Sequence, residues 1–384
     1  MSALALAACA SGFSIKAPEI YPIRAPAAGN YPQGLYKYPF RGKALTTELP
    51  YTQTLAWLPE VGKTFAADTQ YTAVLTLEPK RGFGAVFREN NRYGVSGLPE
   101  AGVESVSTEV VDGNLVIRIV FEKTAAENEE AQILFEDDFP GDSLDSAKWE
   151  SPEGDRQERS TWDKSMVSVG GGHLRIKIKR DAALGRSRSR DPVTANNWIR
   201  TGAAQTRRAQ PPYAGPILFE NTYGYYEARI QFPRLDGTWG AFWLMTTTME
   251  LIPGTGVIGT EIDIVESIGS ASNRYNSALH WDGYGENHKS VGSDINRPVN
   301  IYDGEFHVFA LDWSPSEYVF YVDGLEFWRV DGGEKFNNVG INQNPNYIIF
   351  SVEAAAWAGS LPADFEEAEM LVDYVRVWNQ PRNH

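Results

Sequence analysis

Beyond residue 133, short apolar runs return repeatedly with Gly, Pro, Asn or Asp between them, and no stretch of comparable length carries a helical repeat. Leu174-Arg175-Ile176-Lys177-Ile178 alternates strictly, and strand-like runs recur at 223–232, 238–245, 261–266, 305–313, 318–322, 347–352 and 371–378. Successive side chains of an extended strand point to opposite faces, so alternation of this kind buries one face of a sheet. Turn residues between the runs fold each strand back beside another, and helices long enough to cross over parallel strands have no room. What remains is an all-β fold, a sandwich or jelly roll of antiparallel sheets.

At roughly 150 residues per domain, a chain of 384 residues holds about two to three domains. Aromatic residues make up 12% of it, with 11 Trp, 18 Tyr and 18 Phe, enough to fill a large core. A net charge of -15 repels phosphate backbones and anionic membranes, so no nucleic-acid partner is expected. The single Cys excludes an intrachain disulfide, and five scattered His without a Cys cluster match no zinc-binding spacing. No apolar stretch beyond the N-terminus approaches the roughly 20 residues that a membrane helix needs.

Residues 1–16 read as a truncated export segment. The opening MSALALAACASGFS is small and apolar but lacks the basic start of a secretory signal, and Leu6-Ala7-Ala8-Cys9 is similar to a bacterial lipobox. An exported or cell-surface lipoprotein, lipid-anchored through Cys9, is the corresponding expectation. Residues 17–123 form a separate β module. Runs 71–77 and 115–121 are strand-like, with Asp112-Gly113-Asn114 as turn chemistry before the second. Trp57, Phe65, Tyr71 and Gly82-Phe83 resemble the spacing of small bacterial immunoglobulin-like sandwiches. The module carries no group of catalytic composition and reads as a spacer or docking unit. The small, acidic residues 124–132 make a linker, and residues 133–384 form the second domain.

Chemistry concentrates in Glu261-Ile262-Asp263-Ile264-Val265-Glu266. By parity Glu261 and Asp263 share a face, but Glu266 points away from it unless a β-bulge near Ile264 or Val265 absorbs one residue. With that bulge all three acids line one face. Their mutual repulsion is relieved when at least one carboxyl keeps its proton, which suits acid-base work. Residues 254–259 also fit GxGxxG, but Pro253 precedes them and a strand follows, so a loop is expected there in place of a dinucleotide site.

Around the acid motif stand Tyr223-Gly224-Tyr225-Tyr226-Glu227-Ala228-Arg229, Gly237-Thr238-Trp239-Gly240-Ala241-Phe242-Trp243, His280-Trp281, Phe306-His307-Val308-Phe309-Ala310-Leu311-Asp312-Trp313 and Val372-Asp373-Tyr374-Val375-Arg376-Val377. With Phe135-Glu136-Asp137-Asp138-Phe139 as an opening strand, their order over residues 133 to 380 resembles family 16 glycoside hydrolases. The resemblance implies a concanavalin-like jelly roll that hydrolyses a polysaccharide. It makes Glu261 the nucleophile, Glu266 the general acid/base and Asp263 the residue that tunes the nucleophile. It also implies sugar contacts from Trp239, Trp243, Glu227, Arg229, His280 and Trp281. No cofactor is required, and a structural calcium near Asp138, Gly172 and Asp373 is implied by the family alone.

The bulged acid motif is shared by laminarinases, agarases and carrageenases, so a retaining endo-glycosidase of β-1,3 or mixed β-1,3/1,4 glucans, acting as a monomer, is the expectation. A galactan hydrolase is the alternative, for which Arg180, Arg186, Arg188, Arg190, Arg200, Arg207 and Arg208 offer a basic stretch toward sulfate esters. A non-catalytic carbohydrate-binding surface protein is the alternative outside the enzymes, although the acids it would be expected to lose are present. Gly240, where many β-1,3-glucanases carry Pro, is expected to alter the shape of the sugar site.

Overall fold

The computed structural model describes residues 13–124 except 33–49 and scattered positions, and residues 131–380 except 182–197, 209–216 and shorter stretches. Residues 1–12 with Cys9, most of the expected linker, and Arg186, Arg188 and Arg190 lie outside the described residues. The chain divides into two units, residues 1–128 and 129–384.

In the first unit, strands Tyr51–Leu58, Gln70–Pro79, Asn114–Lys123 and Val103–Val111 form one antiparallel sheet in that order. Alternation places Leu55, Trp57, Tyr71, Ala73, Leu75, Ile117, Ile119 and Phe121 in one core, which Ile20, Ile23 and Phe87 also enter. Asp112 and Gly113, both at positive φ, turn the hairpin that the sequence marks. Among the described residues this sheet is joined only by a two-stranded parallel pair, Phe13–Ser14 with Ala85–Val86. The second sheet of an immunoglobulin sandwich is not among them.

The described residues of the second unit form two sheets. The smaller contains β1 (Ala203–Gln205), β2 (Thr238–Met245), β3 (Thr260–Gly269), β4 (Arg274–Trp281), β5 (Lys289–Gly292) and β6 (Tyr347–Ala354), ordered β1-β6-β2-β3-β4-β5. The larger has eleven strands among the described residues. At its centre lies the late strand Glu367–Trp378, paired with Gly224–Gln231, His173–Asp181 and Ile133–Asp137. Tyr226, Ala228, Ile230, Phe309 and Leu311 of the larger sheet, and Phe242, Ile262, Leu279, Ile348 and Phe350 of the smaller, are fully buried. Tyr275 of β4 meets Phe309 edge to face, 6.5 Å between centroids, which joins the two layers.

Gly240 belongs to this interior. A Cβ there would stand 2.9 Å from the Phe232 ring, and the residue pairs with Val352 and Ser267. The departure from Pro is thus a matter of packing between layers, and it leaves the shape of the acid-bearing face alone. Residues 254–259 turn into β3 with no helix behind them, as expected of a loop.

Candidate active site

Strand β3 has β2 on one side and β4 on the other, and its outward face carries the acids. On the β2 side Phe242 stands opposite Val265 and Trp243 opposite Asp263, so Ile264 has no partner. On the β4 side Asp263 faces Ala278 and Glu266 faces Asn276, leaving two residues against one. This is a β-bulge, and it returns Glu266 to the face of Glu261 and Asp263. The carbonyl of Ile264 that the bulge displaces accepts a hydrogen bond from Ser277 Oγ at 2.6 Å.

All three acids are buried, at 8, 4 and 6% exposure for Glu261, Asp263 and Glu266. Glu266 accepts from Trp239 Nε1 at 2.9 Å and from Asn276 Nδ2 at 2.7 Å. Both bonds favour its charge, but burial outweighs them and, with the nearby Glu353 carboxyl, pushes its pKa up to about 7. Burial likewise raises Glu261 to about 7, assisted by the charge of Glu266 and opposed by a hydrogen bond from the Tyr284 hydroxyl. Asp263 is raised well above the usual carboxylate range, by burial first and then by its two acidic neighbours. The three titrate as a coupled set that retains protons near neutrality.

His280 of β4 stands directly opposite Glu261. Burial, with some help from His288, lowers its pKa to about 4, so the ring is neutral. Its Nδ1 lies 2.9 Å from His288 Nε2, and the two rings stack at 5°. From β6, Glu353 stands opposite Trp239 and is held by Arg156, Nε to Oε1 at 3.1 Å, while that guanidinium lies 4.2 Å above the Trp162 ring.

The expected sugar contacts divide. Trp239 and Trp243 share the acid face, but Trp243 is only 9% exposed, packs with Trp162, Ala203, Tyr347 and Ile349, and donates to Ser351 Oγ at 3.1 Å. Trp239 is half-buried and meets the exposed Trp357 edge to face at 4.8 Å. Glu227 and Arg229 are not in the site. They lie on strand Gly224–Gln231 of the other sheet, whose inward positions are taken by Tyr226, Ala228 and Ile230, so they face away from the sandwich. There Glu227 accepts from the Tyr374 hydroxyl at 2.9 Å and Arg229 pairs with Asp373 at 2.7 Å. Trp281 is 1% exposed, since parity turns it inward when its neighbour His280 faces out.

The residues expected around calcium do not fit one. Asp138 is paired with Arg376 at 2.7 Å and Asp373 with Arg229 at 2.7 Å, so an arginine already neutralises each carboxylate. Gly172, at φ 78°, serves the turn before strand His173–Asp181. The described members of the basic stretch are likewise engaged within the chain. Arg180 donates to the Phe365 carbonyl, Arg200 pairs with Asp163 and Asp181, and Arg208 pairs with Glu150. Arg207 is buried over the Tyr347 ring.

The sequence profile of glycosyl hydrolases family 16 matches residues 155–376. A glucan endo-1,3-beta-glucosidase A1 of Niallia circulans is 25% identical over 65% of this chain, which spans 38% of that relative's length. A beta-glucanase of Rhodothermus marinus is 26% identical over 64% of this chain and 85% of its own. The solved endo-beta-1,3-glucanase of Pyrococcus furiosus superposes with a TM-score of 0.50 at 23% identity, covering 65% of this chain and 94% of that one, a likeness of fold. With the profile spanning more than half of the chain and taking in every strand of the acid-bearing sheet, the chain belongs to the glycosyl hydrolases of family 16.

Proposed function

We propose that the chain is an endo-acting hydrolase of β-1,3 or mixed β-1,3/1,4 glucans that retains anomeric configuration. The observation that carries this reading is the bulge at Ile264, which sets Glu261 and Glu266 on one buried face as a coupled pair with pKa values raised to about 7, so that one can be ionised while the other keeps its proton. Retaining glycosidases need two carboxyls about 5 to 5.5 Å apart in different protonation states. Glu266, with its two fixed donors and raised pKa, delivers its proton to the leaving glycosidic oxygen while ionised Glu261 attacks the anomeric carbon. Glu266 then takes a proton from water, whose oxygen displaces Glu261 and restores both groups. Asp263 lies between them in sequence on the same face, where burial and the charges of both neighbours raise its pKa, and it tunes the charge of the nucleophile. Trp239 and Trp357 offer apolar rings at the rim for sugar stacking. The names of the relatives, a glucan endo-1,3-beta-glucosidase and a beta-glucanase, support the choice of glucan.

Reducing-end release from laminarin, lichenan, agarose and carrageenan tests the reading, with anomer detection by proton NMR. Cleavage of laminarin or lichenan with β product first is expected. Release only from agarose or carrageenan gives the galactan alternative, and no release from any of the four removes the enzyme reading. Residues 1–16 belong to the same proposal as an export segment with Cys9 as lipid attachment point, supported by Leu6-Ala7-Ala8-Cys9. Incorporation of labelled palmitate that is lost in Cys9→Ser checks it.

A further inference from the structure

We propose that Glu261, Asp263 and His280 form a binding site for a divalent transition cation of the zinc class, which closes the cleft reversibly by occupying the nucleophile. One ligand atom from each of the three lies within 4.8 Å of the others. Asp263 Oδ2 is buried, has no hydrogen-bond partner and points to His280 Nε2 at 3.4 Å. That separation is long for a hydrogen bond. It equals the edge of a tetrahedron whose bonds are about 2.0 to 2.1 Å, roughly 3.3 to 3.4 Å, the geometry of zinc held by imidazole and carboxylate.

The surroundings prepare the same ligand set. His280 Nδ1 lies 2.9 Å from His288 Nε2, and in the tautomer that donates from Nδ1 an unprotonated Nε2 faces Asp263, while the stacked His288 ring fixes the orientation, the arrangement found behind metal-bound histidines. Tyr284 occupies Oε2 of Glu261, and the carboxylate's other oxygen remains for a metal. Two carboxylates and one imidazole suit zinc, cobalt or copper, whereas calcium requires six to eight oxygens. A divalent charge also relieves the crowding of acids on β3. The fourth position opens to the cleft, so the bound metal and a sugar at Glu261 exclude each other.

The inhibitory consequence rests on Glu261 being the nucleophile, but binding itself does not, and the two are measured separately. Cobalt(II) added to the full chain is expected to give the intense visible absorption of a tetrahedral centre at one metal per chain, and zinc is expected to displace it. His280→Gln and Asp263→Asn, each checked for folding by circular dichroism, should abolish the band. His288→Ala should weaken zinc binding about 10- to 100-fold, the usual effect of losing the residue behind a ligand. Absence of the band in the wild type, or its persistence in folded His280→Gln, overturns the site. In glucan assays zinc should raise KM and leave kcat unchanged. Zinc binding without that pattern overturns the regulatory part, and a chain that binds cobalt but cuts no glucan in chelator refutes the hydrolase reading alone.

Discussion

Glu266 shows what a single carboxyl trades between stability and chemistry. Its folded pKa, about 7, lies above the ordinary 4.5, so the folded chain holds a proton that the unfolded chain has released between those values. The stabilisation is therefore complete below about pH 4.5 and disappears as pH rises through about 7. Glu266→Gln, which keeps the shape and cannot ionise, is expected to flatten part of that slope and to gain about 1 to 3 kcal/mol at pH 8 while losing most turnover. Urea unfolding at pH 5 and pH 8 measures the first effect and glucan hydrolysis the second. The two tryptophan readings separate in the same way. Trp243→Ala empties a buried position and should cost about 3 to 5 kcal/mol of stability. Trp357→Ala, on the exposed rim, should leave stability unchanged and weaken oligosaccharide binding by about 1 to 3 kcal/mol, read by calorimetry and thermal unfolding. Individual residues were unevenly legible in the sequence. The acids of β3 declare themselves because they cluster within six positions. Asn276, Tyr284, His288, Arg156 and Glu353 carry no local signal, and only pairing between strands far apart in the chain sets them beside the acids. The same holds for zinc, since the sequence has no metal spacing and the register of β4 on β3 supplies one.

Strands carry the parity rules by which the site can be read, and also the limits of those rules. Glu266 lies an odd number of residues from Glu261, so the bulge follows from the requirement that both act together, and the pairing of β3 places it at Ile264. Deleting Ile264 removes the extra residue, so β3 should pair regularly and Glu266, now four positions from Glu261, should stay on the acid face by parity. Glucan hydrolysis by the deletion variant is expected to persist at a reduced rate, because the pair keeps its face but loses the offset that the bulge gives it, whereas Ile264→Val, which keeps the bulge, should cost about 0.5 to 1.5 kcal/mol and retain activity. Parity also shows that His280 and Trp281 cannot both face the cleft, because adjacent residues of a strand point oppositely. It is silent on which sheet a strand joins. Glu227 and Arg229 share a face as expected, yet that face is the outside of the larger sheet, information held in the topology and absent from the local pattern.

At the scale of the whole molecule, every residue placed at the site lies within residues 129–384, and a chain of those residues is expected to fold alone and keep its kcat on soluble oligosaccharides. Steady-state assays on a short laminari-oligosaccharide and on laminarin check it. A loss confined to the polymer would assign polymer capture to the first unit, and a loss on both would move the functional boundary. The all-β class of the second unit was legible from alternation and turn residues, and its two sheets follow from the need to bury both inner faces. The order of strands was not, because it depends on where the last one inserts. Strand Glu367–Trp378 occupies the middle of the larger sheet, between partners from residues 133, 173 and 224 onward. During synthesis those partners leave the ribosome long before the strand that joins them, so the nascent chain carries open sheet edges until residue 378 has emerged. Emergence of that strand is thus the folding trigger, and a chain stopped short of it is left to chaperones, proteases or aggregation.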